Sequence, residues 1–92
     1  MRYVVWTKGP ILMLLSNLAS LASEVDSSGY VHREIGFDAA GAVIHKKPSE
    51  SHQRGDYGLL DGPPIDVDIA IARGIAREIP PTEFDQAWNQ SP

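Results

Sequence analysis

Two turn signatures, Asp26-Ser27-Ser28-Gly29 and Asp38-Ala39-Ala40-Gly41, stand 12 residues apart and bracket the β-rich run 30–37. An Asp at the first place of a turn can accept a hydrogen bond from its own backbone two residues on. A Gly at the fourth place takes the positive φ that lets the chain reverse with one bulged residue. Two such turns around one run predict a three-stranded antiparallel meander over roughly 21–25, 30–37 and 42–48. Few other features of this chain restrict its fold as tightly.

The 92 residues suffice for one domain, 1–92, with a small core and little spare volume for a deep catalytic pocket. Hydrophobic residues make up 42% and charged residues 22%, which sets the chain apart from disordered sequences. The absence of cysteine excludes a disulfide framework, a thiolate nucleophile and cysteine-ligated zinc. Twelve acidic side chains against eight basic ones give a net charge of −4. Such a charge disfavours nucleic acid and anionic lipid, whose binding needs clustered Lys and Arg, and it favours a neutral or basic protein partner.

Residues 2–6 read as a strand with bulky residues on both faces. Pro10 and the spacing of Ile11, Leu14, Leu15 and Leu18 predict a helix over about 10–20. The stretch 10–22 also has the composition of a secretory h-region. Asn17 interrupts it, however, and a strand precedes it, so it is read as part of the fold. It is shorter than the roughly 20 residues a membrane span requires. Within the middle strand, Val31, Arg33, Ile35 and Phe37 alternate with His32, Glu34 and Gly36, so the first set is expected to face the core. Residues 45–58 are polar, broken by Gly and Pro, and read as a loop.

Beyond Pro63-Pro64, the run Ile65, Val67, Ile69, Ile71 fits a strand. A helix over about 67–77, capped by Asp66 or Asp68, fits better. After Pro80-Pro81, Thr82-Glu83-Phe84-Asp85 resembles a capping box opening a helix over 82–90, with Phe84 and Trp88 on one face. The expected class is α+β: a small antiparallel sheet, strand 2–6 included, with two or three helices packed on one face.

Candidate functional residues fall into three groups. His32, His45 and Glu34 could converge across the hairpin as metal ligands or as an acid–base group. Equally, they could form the polar outer face of a half-exposed sheet with a cross-strand Glu–His pair. Asp56, Asp61, Asp66 and Asp68 occur with no Lys or Arg between Gly55 and Ala72. They could meet a basic protein surface or serve turns and a helix cap, and a capping carboxylate can do both. Lys46, Lys47 and Arg54 are too few, with Tyr57 alone nearby, to read as a nucleic-acid site. Tyr57 and Tyr30, beside glycines, suit exposed aromatic anchors. The expected partner surface is 54–68, chiefly Asp56, Tyr57, Asp61 and Asp66, with Glu34 in support. No catalytic residue, metal or cofactor is expected.

The order of residues also carries a resemblance. Trp6 is followed by Ser23-Glu24-Val25-Asp26, then Arg33 and Ile35 with the Asp/Gly turn. Pro64-Ile65 comes next, and finally Glu78-Ile79 and Glu83-Phe84-Asp85-x-x-Trp88. This order resembles a family of small bacterial proteins encoded among polymorphic toxin and immunity genes. In this chain Gly36 stands where that pattern places a strand Glu, and Glu34 lies two places earlier. The resemblance implies a cytoplasmic, non-enzymatic immunity protein whose partner is a cognate toxin with a basic surface, such as a nuclease. The alternatives are an interaction module without a toxin partner and a small metal-dependent enzyme using His32 and His45.

Overall fold

The computed structural model describes residues 1–6, 18–48 and 62–90. Five strands, β1 (Arg2–Trp6), β2 (Ser20–Val25), β3 (Val31–Phe37), β4 (Val43–Lys47) and β5 (Ala76–Glu78), form one sheet ordered β4-β3-β2-β1-β5. Every pairing is antiparallel. Helices α1 (Val67–Ala72) and α2 (Pro81–Trp88) complete an α+β fold. None of the described helices is long and apolar enough to cross a membrane.

The two turns are built alike. Asp26 Oδ1 accepts from Ser28 N at 2.9 Å and from Tyr30 N at 3.0 Å. Asp38 Oδ1 accepts from Ala40 N at 2.9 Å and from Ala42 N at 3.0 Å. Gly29 and Gly41 adopt φ of 91° and 84° at the same place in each turn. Their surroundings differ. A Cβ at residue 29 would stand 2.5 Å from the Ile65 carbonyl oxygen, whereas one at residue 41 would meet nothing within 4 Å. Gly29→Ala is therefore expected to cost about 2–3 kcal/mol, and Gly41→Ala only about 1 kcal/mol from backbone strain. Urea unfolding of the two variants isolates the close approach; equal losses would refute it.

The helices lie on opposite faces of the sheet, which corrects the expectation of one covered face. Successive strand residues point to opposite sides. Val4, Trp6, Leu21, Val25 and Val31 pack with Val67 and Ala70 of α1. Val5, Ala22, Ile35 and Val43 pack with Phe84 of α2 and with Ile79. A register shift beside Glu24 and Val25 moves Val31 to the α1 side, away from Arg33 and Ile35. Strict alternation from Val31 to Phe37 therefore fails at its first residue.

The expected helix over 10–20 lies mostly outside the described residues. Within it, Leu18–Ser20 are not helical, and Ser20 opens β2. The helix expected over 67–77 ends at Ala72. Gly74 N donates to Ile71 O and Ile75 N to Ala70 O, closing the end as a Schellman motif, and the chain continues as β5. The third correction concerns α2. Pro80 occupies its N-cap with no side-chain cap bond, so Thr82 sits inside the first turn and forms no capping box. Pro81 instead presets the first helical φ, where its missing N–H is not needed.

Candidate functional site

A cleft of about 470 Å³ opens at the sheet end where β1 begins. One wall is the turn from Asp26 to Gly29, the other is Pro64–Asp68, and Arg2 lies between them. The walls are fixed to each other by Ile65 N donating to Gly29 O at 2.8 Å, the contact that requires glycine at residue 29.

The carboxylates of the cleft are positioned by backbone donors and one guanidinium. Asp66 caps α1 by accepting from Ile69 N at 3.1 Å, and its side chain is exposed. Arg2 pairs with Asp68 at 2.9 Å and grips Glu78 through Nε and Nη2 at 3.0 and 2.9 Å. Hydrogen bonding to Arg2 holds the Glu78 carboxyl below its usual range, and Glu78 and then Asp68 hold the guanidinium above its own. Asp26 is also held low, first by His32 at 2.7 Å and next by the Tyr30 amide. These groups are solvent-exposed ion pairs that contribute little stability individually. What they supply is a charged surface with its oxygens in fixed places.

The expected site residues separate. Asp66 lines the cleft, whereas Asp56, Tyr57 and Asp61 lie outside the described residues. Glu34, expected on an exposed outer face, has no exposed surface at all. It lies on the α1 side of the sheet, opposite Ser23 in register, and its carboxylate stands 3.9 Å from His45 Nε2. Ser23 accepts from Trp6 Nε1 at 3.0 Å, so polar groups continue inward from this pair. His45 and Lys47 are buried as well. His32 turns instead to Asp26, and the three-residue convergence does not form. Among the described residues, no group of three or more His, Asp or Glu is placed to hold a metal ion.

A second assembly uses residues that sequence reasoning treated separately. Arg33 donates to both oxygens of Glu24, at 3.0 and 2.7 Å, and to Asp85 at 3.1 Å. Its guanidinium carbon lies 5.0 Å from the Phe84 ring centre and 4.9 Å from that of Trp88. Lys46 Nζ bonds the Trp88 carbonyl at 2.9 Å and sits over the same ring at 5.4 Å. Glu24, Arg33, Ile35, Ile79, Phe84, Asp85 and Trp88 thus meet on the α2 face, where they fasten α2 to the sheet, whereas Trp6, Val25 and Ile65 pack on the α1 side. The signal available in the sequence was the turn itself: counted with its bulge, the hairpin sets Glu24 opposite Arg33. Comparison with models of protein families, with curated proteins and with solved structures gives no match to this chain.

Proposed function

We propose that this protein is a cytoplasmic, non-enzymatic immunity protein that binds one cognate bacterial toxin domain and blocks it. The cleft carries this reading, because exposed carboxylates there are held by backbone and guanidinium bonds at one end of the sheet. Among the described lining residues, Asp26, Asp66 and Asp68 stand against one cation, Arg2, and this excess of negative charge favours a basic surface, speeds encounter with it and discourages other partners. The acidic composition and the sequence resemblance point the same way. Among the described residues, His32 lies against Asp26 and His45 against Glu34, and the two histidines form no shared site. In this reading, the carboxylates occupy cationic groups that the toxin uses to hold an anionic substrate.

Co-expression with the product of the adjacent reading frame tests the function. That product alone is expected to arrest growth of a bacterial host, and this protein is expected to restore growth and co-purify with it. Arrest without rescue, or a harmless product, would overturn the immunity reading.

A further inference from the structure

Helix α2 leaves part of its sheet face open. Asp85 and Trp88 tie one flank of the helix to Arg33 and Lys46. Glu83, Gln86 and Ala87, at i, i+3 and i+4, form the opposite flank, and beside it opens a cavity of about 330 Å³. It shares no lining residue with the acidic cleft. Buried Val5, Ala22 and Phe84 form an apolar floor, bordered by half-buried Phe37 and Ala87. Arg77, Val5 and Ala22 are direct partners across β5, β1 and β2, so Arg77 projects from the same face as this floor.

The cavity also holds one cation and one anion that are not spent on the fold. Arg2 and Arg33 are each engaged by two carboxylates. Arg77 and Glu83, by contrast, line the same cavity, are exposed, and form no side-chain hydrogen bond or ion pair among the described residues, with each other included. Small-molecule sites of this volume combine an apolar floor with a few polar groups that fix orientation. Charge specifies the occupant. A simple carboxylate would gain Arg77 but face Glu83, and a simple amine would gain Glu83 but face Arg77. A head group that carries both charges satisfies both side chains.

We propose that this cavity binds a free α-amino acid with a large aliphatic or aromatic side chain. The Arg77 guanidinium donates to the carboxylate, and the Glu83 carboxylate accepts from the ammonium group. The apolar side chain lies on Val5, Ala22 and Phe37, where it leaves water. A peptide terminus presents only one of the two charges, which favours the free amino acid over a chain end. The assignment does not depend on the inhibitor reading.

The test titrates the full 15N-labelled chain with L-leucine, L-phenylalanine, N-acetyl-leucine, leucine amide and glycine. Saturable amide shifts are expected at 20–22, 37, 77 and 83–87 with leucine and phenylalanine. N-acetyl-leucine and leucine amide, which each lack one charge, should bind about tenfold more weakly than leucine. Glycine, which lacks the apolar side chain, should also bind about tenfold more weakly. Arg77→Gln and Glu83→Gln alter exposed side chains, so both variants should keep the wild-type amide spectrum elsewhere. Arg77→Gln should bind leucine and leucine amide alike, and Glu83→Gln should bind leucine and N-acetyl-leucine alike, because each variant removes the partner of the missing charge. No saturable shift with leucine, shifts centred on other residues, or equal binding of leucine and its two blocked forms by the wild type would overturn the proposal.

Discussion

Arg33→Ala is expected to lower the unfolding free energy by about 3 kcal/mol at neutral pH, because it strands a nearly buried carboxylate. Glu24 is 8% exposed and loses both guanidinium bonds at once. Phe84 and Trp88 lose the flat cation packed on their rings, and Asp85 loses its tie to the sheet. The effect carries a pH signature. In the intact protein the Arg33 bonds hold the Glu24 carboxyl below the usual range, outweighing the upward push of burial. A carboxylate whose pKa is lower folded than unfolded stabilises the fold above the usual carboxylate range. That contribution is lost as pH falls through the folded value. Without Arg33, burial pushes the Glu24 carboxyl up against chiefly the Tyr3 hydrogen bond, and protonation relieves the cost. The difference between wild type and variant should therefore be largest near neutrality and narrow on acidification. Urea unfolding across pH measures it, and a gap constant with pH would show that Arg33 acts by packing alone.

Phe84→Ala should be costlier still, about 4 kcal/mol, as large-to-small changes at sealed aromatic sites are. The ring has no exposed surface and joins Val5, Ala22, Ile35 and Ile79 in the core of the α2 face. It also meets Tyr3 at 5.0 Å between ring centres. Since α2 has no side-chain cap and is 8 residues long, Phe84 is its principal hold on the sheet. For a domain with roughly 5–10 kcal/mol in total, this loss approaches unfolding. Phe84→Leu should recover part of it by refilling volume. The pair Arg33→Ala and Phe84→Ala should cost less than the sum of the two, because they share one contact. Additive losses would mean that the cation and ring do not support each other.

Local chemistry made the turns legible. Asp26 and Asp38 act within four residues of themselves, and sequence distance does not blur such a signal. Asp66 as a cap was legible for the same reason. Long-range features were not. Arg2 reaches Asp68 and Glu78 across 66 and 76 positions, so the floor of the cleft has no local trace. Strand β5 was hidden because the alternating isoleucines of 65–71 obey strand and helix periods together, and Gly74 then ended the helix early. Glu34 misled for a physical reason. A lone carboxylate on an alternating strand is normally solvated, and only a sheet covered on both faces buries it beside His45. The residues that carry the resemblance divide: Arg33, Phe84 and Trp88 fasten α2, whereas Asp26, Pro64 and Ile65 line the cleft.

The most direct measurement is the association rate of this protein with the toxin proposed as its partner, followed by stopped flow across a range of salt concentrations. Wild type should associate fast at low salt and slow steeply as salt rises. Asp66→Asn combined with Asp68→Asn should associate about tenfold more slowly at low salt and show a shallower salt dependence. Arg33→Lys, which keeps the charge on the opposite face, should leave the association rate unchanged. Identical rates and identical salt dependence for wild type and the double Asn variant would contradict binding through the cleft.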